Sequence, residues 1–309
     1  MTTTEAARPA VGTRRWAGRA HPGGSGSAMS YGFVALYAAL TVAFGVLPAG
    51  YAFYLAFTDA DGAFAGLANF AKVTGDFRFL PAAGHVALYL VIWLVALLVL
   101  VTALAIVVHT IRLRRVSSGL RLIFYLPGAL AGASSVLLWL FLLDPTASPI
   151  GALLRLFGLA SFVQVIVPGN LPPVFAVIAF WTGAGGWIVI MYGALNNISA
   201  EVIEAARIDG AGRWQIAWRI QLPLLRKWIS YMAIMSLAAG TQLFVEPQLL
   251  SQASNAIVPN DYSLNQLAYQ YAFQQNDFNG AAAISLILLV IALALSAVFV
   301  LRGGLFETD

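Results

Sequence analysis

The sequence predicts an all-α membrane protein, six transmembrane helices with a cytoplasmic helix–turn–helix loop between the fourth and fifth spans. Three observations carry this expectation. Of 309 residues, 60% are hydrophobic and only 10% charged, a balance too apolar for a domain folded in water. Six apolar runs are each long enough to cross the hydrocarbon, which takes roughly 20 residues. The Lys and Arg side chains collect in alternate connections between those runs.

The elements follow in chain order. Residues 1–29 are poor in large apolar side chains and contain His21-Pro-Gly-Gly-Ser-Gly-Ser27, a composition expected of a disordered cytoplasmic tail. A secretory signal does not fit, because the apolar run that follows is long and continues as a full span. Spans are expected near Tyr31–Phe57, His85–His109, Leu120–Leu143, Pro173–Leu195, Trp228–Leu250 and Gly280–Leu301. All must be helices, since within lipid the backbone has to satisfy its own polar groups. The membrane domain is thus residues 30–303, with 304–309 a short cytoplasmic tail.

Orientation comes from the basic residues. Arg8, Arg14, Arg15 and Arg19 precede the first span, and Arg112, Arg114, Arg115 and Arg121 surround the second connection. Arg207, Arg213, Arg219, Arg226 and Lys227 fill the fourth, and Arg302 follows the last span. That is 4 + 4 + 5 + 1 = 14 on one side against Lys72, Arg78 and Arg155 on the other, together the 17 in the chain. The positive-inside rule places the fourteen, and both termini, in the cytoplasm of a cell membrane. The outer loops carry Asp59, Asp61, Asp76, Asp144, Asp261 and Asp277, enough to face water and a soluble partner.

Several chemistries are excluded. The absence of Cys removes disulfides, thiol catalysis and Cys-ligated metals. A net charge of +4 is spread over span flanks, not gathered in a stripe, which argues against nucleic acid. His21, His85 and His109 lie too far apart along the tail and one helix to share a metal, and no cofactor is implied. There is no Gly-x-x-x-x-Gly-Lys-Ser/Thr loop, so any ATP-driven step by that route belongs to another polypeptide.

The loop of residues 196–227 is the most informative segment. Ser199 is placed to cap a first helix with Glu201 in its first turn, and Glu204, Ala205 and Ala206 are good helix formers. After Asp209, Gly210 permits the left-handed backbone that stops this helix before Ala211. A second short helix over about Arg213–Ile220 puts Trp214 and Trp218 on one face, and Pro223, just after Leu222, is expected to break it before the fifth span. An alternative lays this loop on the lipid headgroups, Trp214 and Trp218 at the interface and Arg213 and Arg219 toward anionic lipid.

Glu204-Ala-Ala206, then Asp209-Gly-Ala211, then Ile220-Gln-Leu-Pro223 resembles the "EAA loop" of permease subunits in binding-protein-dependent, ATP-binding-cassette importers. Gly66-Leu-Ala-Asn-Phe70 with Asp76 and Phe79, Phe180-Trp-Thr182 with Gly186, Leu222-Pro-Leu-Leu225, and Tyr271-Ala-Phe273 with Phe278 and Gly280-Ala-Ala-Ala-Ile284 are similar to the carbohydrate-uptake branch, over about Tyr31–Leu301. The resemblance implies a permease similar to maltose and glycerol-phosphate A-type subunits, not itself an enzyme. It implies a second homologous permease, two copies of an ATPase docking on Glu204–Pro223, and an extracytoplasmic solute-binding protein. The alternatives are a non-sugar solute such as glycerol phosphate, or an ion-coupled secondary transporter. Three departures stand out: Ala217 where relatives have an aromatic, Ser199 where many have proline, and Ser251–Pro259 in place of a Gly-Gly-Pro.

Polar residues in or near spans are the candidates for a solute pathway, since an ionisable group is costly in hydrocarbon unless it faces protein or water. Glu246 and Gln242 fit this description, though hydration at the outer interface would also explain Glu246. Trp139, Trp181 and Tyr192 could stack on sugar rings or form an interfacial aromatic belt. Gly183, Gly185 and Gly186 favour close helix approach.

Overall fold

Apart from one antiparallel bridge between Thr58 and Phe64, every regular element among the described residues is helical, as a backbone that must bond to itself in lipid requires. The computed structural model describes residues 25–130, 132–254 and 257–303. The chain divides into two compact units, 1–50 and 51–309. In the first, α1 (Ser25–Thr41) runs through a π-helical turn (Val42–Val46) into the start of α2 (Leu47–Phe57). Helix therefore begins inside the segment expected to be tail; the rest of that tail, His21 included, and residues 304–309 lie outside the described residues.

The second unit holds α3 (Ala68–Thr74), then α4 (Phe79–Ala96), a π turn (Leu97–Val101) and α5 (Thr102–Thr110). α6 (Arg114–Tyr125), a 3-10 turn (Leu126–Ala129) and α7 (Gly132–Leu142) follow, then the short α8 (Gly151–Leu156) and α9 (Phe162–Val165). The long α10 (Leu171–Asn196) leads to α11 (Ala200–Ile208), α12 (Arg213–Ile216), a π turn (Ala217–Gln221) and α13 (Leu222–Leu224). α14 (Arg226–Gly240), α15 (Val245–Ala253), α16 (Leu264–Phe273) and α17 (Phe278–Gly303) complete it.

Four helical stretches among the described residues are long and apolar enough to cross a membrane: Tyr31–Phe57, Phe79–Thr110, Pro168–Asn196 and Phe278–Arg302. They cover the expected first, second, fourth and sixth spans. The third and fifth differ from simple rods. Arg114–Ala129 meets Gly132–Leu142 at 101°, and Arg226–Gly240 meets Val245–Ala253 at 41°. At the first bend Pro127 sits in the 3-10 turn and Leu130 is extended, as expected where proline removes an N–H and crowds the preceding turn. At the second, Phe244 leaves the helical region, and the Thr241 carbonyl accepts instead from the Asn265 amide at 2.9 Å.

α10 is the central helix. It packs against α4, α5 and α6, and its buried Phe175, Ile178, Ile188 and Met191 share one core with Trp93, Leu97 and Met232. In a bilayer, close approach through small residues replaces much of the hydrophobic drive. Of the expected glycine cluster, Gly185 does this: a methyl there would collide with the Phe124 carbonyl, whereas Gly183 and Gly186 have nothing within 4 Å. Gly240 likewise admits Trp93 and Leu90 of α4.

A second core joins the end of α2, α3, the start of α4, α16 and the first half of α17 through Ala56, Val73, Phe79, Leu267, Tyr271 and Ile284. The last carbonyls of α2 have no intrahelical partner. Asn69 donates to the Ala56 and Thr58 carbonyls (3.0 and 2.8 Å), and Asn279 to those of Leu55 and Thr58 (3.0 and 2.7 Å). The Asn of Gly66-Leu-Ala-Asn-Phe70 and the residue before Gly280 therefore act on the same helix end.

Candidate functional site

The loop after α10 folds as helix, turn, helix. Ser199 caps α11 by accepting from the Glu201 N–H at 3.2 Å, leaving Glu201 in the first turn, where a carboxylate suits the helix dipole. At the other end Gly210 has φ +83°; its N–H bonds the Arg207 carbonyl at 3.0 Å, and the Ala211 N–H bonds the Ala206 carbonyl at 2.9 Å. These two bonds are a Schellman motif. They give each part of Glu204-Ala-Ala206 and Asp209-Gly-Ala211 a backbone role: Ala206 offers the carbonyl, Gly210 the left-handed turn, and Ala211 the closing N–H. Ala206 and Ala211 are both half-buried, as the contact accompanying that motif demands. Glu204, Ala205, Arg207 and Asp209 stay exposed, and Ile208 is 86% exposed at the tip.

The second helix starts at Arg213, with the Gln215 side-chain Oε1 accepting from the Gly212 N–H at 2.8 Å. Pro223 does not end it, contrary to expectation. The chain widens into the π turn over Ala217–Gln221 and stays helical through Leu222 and exposed Pro223 to Leu224. A π turn bonds five residues ahead instead of four, which relieves the place where proline supplies no N–H. Trp214 and Trp218 do share a face, their rings 5.5 Å apart in an edge-to-face pair. Ile220 and Leu222 are half-buried. Trp214, Ala217, Trp218 and Leu222 line one side of a cavity of about 540 Å3 against α5.

The five pathway candidates do not form one site. Trp139 is buried and packs edge-to-face on Trp181 at 5.7 Å, and its indole N–H has no partner among the described residues. Glu246, half-buried in the first turn of α15, lies on the helix that packs on α7, which carries Trp139. Gln242 instead lines a separate cavity of about 380 Å3 with Asn265, Ser285 and Ser296. Tyr192 sits near the loop end of α10, its ring 4.0 Å from the Arg121 guanidinium and 5.4 Å from the His109 ring. His85 is elsewhere, stacked on Tyr262 at 4.2 Å. Of the atypical segment Ser251–Pro259, Ser251, Ser254 and Val258 are buried, while residues 255 and 256 lie outside the described residues.

Sequence reasoning missed a polar cluster at the opposite end of the bundle. Arg78 grips Asp76 through Nε (3.0 Å) and its terminal nitrogen (2.6 Å), and donates to Gln270 at 2.8 Å. The Tyr271 hydroxyl donates to Asp76 at 2.7 Å, and Lys72 pairs with Asp277 at 2.6 Å. The Arg78 hydrogen bond holds the Asp76 carboxyl well below the usual carboxylate range. Burial, then the bond to Asp76, pushes the Tyr271 hydroxyl up to about 12. The sequence placed Asp76 in an outer loop and Asp76 and Tyr271 in separate motifs; nothing local marks residues 195 apart as partners.

Comparison with known proteins adds to this geometry. The model of the family "Binding-protein-dependent transport system inner membrane component" matches residues 33–303. The chain is 28% identical to the diacetylchitobiose uptake system permease protein NgcF of Streptomyces coelicolor, covering 88% of this chain and 81% of that one. It is 28% identical to the multiple sugar-binding transport system permease protein MsmF of Streptococcus mutans (79% and 82% covered), and 29% identical to the sn-glycerol-3-phosphate transport system permease protein UgpA of Escherichia coli (87% and 92%). A solved bacterial ABC transporter involved in import of the polysaccharide alginate superposes with a TM-score of 0.73 at 18% identity, covering 91% of this chain and 97% of that one. At that identity the likeness speaks for the fold.

Proposed function

This chain belongs to the family of binding-protein-dependent transport system inner membrane components, and we propose that it is the permease of an ATP-driven importer for an oligosaccharide. It is a multi-pass membrane protein of the transport class. The saccharide assignment is supported by the names of NgcF and MsmF and by the alginate transporters that share its fold; the likeness to UgpA keeps glycerol phosphate as the second solute class.

In this reading each bent helix pair counts as one span, giving six, with both termini and the Glu204–Pro223 loop in the cytoplasm. A second homologous permease completes the channel. Two ATPase copies supply the energy, and a soluble binding protein delivers solute to the far side; one of the alginate transporter structures is a complex with an alginate pentasaccharide-bound periplasmic protein. The exposed knob closed at Gly210 is the observation that carries the coupling role: Glu204, Arg207, Asp209 and Ile208 project from a helix whose end is fixed by two backbone bonds. ATPase closure would move α11, and α12 to α14 would carry that movement into the fifth span. Trp139, Trp181 and Glu246 are the nearest group to a solute pathway, with Gln242 on a separate lining and Tyr192 at its loop end.

The test is charge reversal at the knob. Losing a charged contact at such an interface costs on the order of 2 to 5 kcal/mol, so Glu204→Lys should leave the protein in the membrane but abolish uptake and release the ATPase on purification. Normal uptake with the ATPase retained would reject the coupling role. Reporter fusions after Leu143 and Leu195 should read opposite sides, the second cytoplasmic; the same side for both would reject the six-span topology.

A further inference from the structure

The cavity between α5 and the second half of the loop has the length and the apolar lining of a seat for one lipid chain. Val99, Ala103 and Val107 form one wall, and Trp214, Trp218 and Leu222 the other. The lining runs from Leu98 to Thr110, and twelve helical steps at 1.5 Å make about 18 Å. One leaflet holds about half of the roughly 30 Å hydrocarbon, so the groove is long enough for an acyl chain of one leaflet. Apart from Thr102, Thr110 and Arg213 the lining is aliphatic or aromatic, a surface that suits an extended acyl chain.

The loop end of the groove supplies the rest of a lipid site. Arg213 lines it there and forms no ion pair with a described residue; the pairs are Lys72–Asp277 and Arg78–Asp76. Trp214 is 73% and Trp218 54% exposed, amphipathic rings of the kind that sit against headgroups. We propose that this groove binds an anionic phospholipid of the cytoplasmic leaflet, one acyl chain along α5 and the phosphate at Arg213. The lipid then completes the seat on which the second loop helix rests against the second span, so anionic lipid holds the loop in position. The leaflet, though not the groove, rests on the cytoplasmic placement of the loop.

The experiment uses the whole importer assembly in nanodiscs, with phosphatidylglycerol or phosphatidylcholine carrying a photoreactive diazirine on one acyl chain. Crosslinks should concentrate on residues 98–110 and 213–222, with phosphatidylglycerol about five-fold ahead, the preference one basic side chain near the surface gives. Arg213→Gln should equalise the two lipids. Ala217→Phe, or Ala103→Trp should the first not insert, fills the groove and should lower both yields to the level on the exposed Leu293–Leu301 face of α17. Equal yields from the two lipids in the unaltered protein would mean ordinary boundary lipid and overturn the proposal. Crosslinks from these peptides only to another subunit would do the same. If the loop instead faced the other side, labelling restricted to one leaflet would exchange while the groove's yield and selectivity stayed, which separates that failure from this one.

Discussion

Asp76→Asn tests whether the cluster at the far end of the bundle holds α3 and α16 together. The substitution keeps the shape and removes the charge. It leaves Arg78 without its counterion where the two side chains are 11% and 19% exposed. Removing one partner of a buried ion pair costs about 3 to 5 kcal/mol, much of it from the stranded charge; with some water reaching this pair, about 3 kcal/mol is the appropriate figure. Local opening should then rise on the order of 100-fold, read as faster amide exchange over Ala68–Thr74 and Leu264–Phe273. Tyr271→Phe removes one hydrogen bond to a charged group, about 1.5 kcal/mol, and should accelerate the same amides about ten-fold. The pH dependence follows from the direction of the Asp76 shift. A carboxyl whose folded value lies below its ordinary 3.8 contributes stability that is complete above that value and is lost as pH falls through the folded one. The unaltered protein should therefore keep its protection at neutral pH and shed it only in strong acid, while the Asn variant lacks it throughout. A change of less than about five-fold in Asp76→Asn, with other helices unaffected, would refute the idea that these bonds hold the far end.

Two further outcomes follow from single glycines. Gly210→Val forces a β-branched side chain into a left-handed backbone (φ +83°), a strain of about 1 to 2 kcal/mol; the variant should reach the membrane yet fail to co-purify with the ATPase, whereas Gly210→Asn should retain it. Gly185→Val drives a side chain into the Phe124 carbonyl and should abolish accumulation of the folded protein, while Gly186→Ala, with nothing within 4 Å of its added methyl, should accumulate normally; equal loss in both would deny the close approach of α6 and α10.

Much of this arrangement was legible in the sequence because it is encoded locally. Apolar length located four of the expected spans, Ser199 the cap, and Gly210 the left-handed turn, each within a few residues of its effect. The bends were not legible. Pro127 and Gly240 lie inside long apolar runs, and hydropathy averages over the residues where a helix changes direction. The outcome at Pro223 turned on a π turn, which no side-chain pattern announces. The candidate pathway suffered most: Gln242 and Glu246 are close in sequence but lie on either side of the bend at Phe244, and Tyr192 is drawn to Arg121 by a ring-to-cation contact that periodicity does not encode. Pairs such as Asp76 with Tyr271, or Asn279 with Leu55, join segments some 200 residues apart, and one sequence carries no trace of the match.

The π turn before Pro223 has a mechanical consequence. Backbone bonding does not lapse where the loop becomes the span: the Leu225 N–H reaches the Gln221 carbonyl and the Ile229 N–H the Leu225 carbonyl, both at 2.9 Å. A proline that ended the helix would have left a slack joint there. As built, backbone bonding runs from Arg213 through a single turn residue, Leu225, to Gly240, and the next change of direction is the 41° bend beyond it. In the coupling proposed above, a push on the loop would reach the elbow beside Glu246 without crossing an irregular linker.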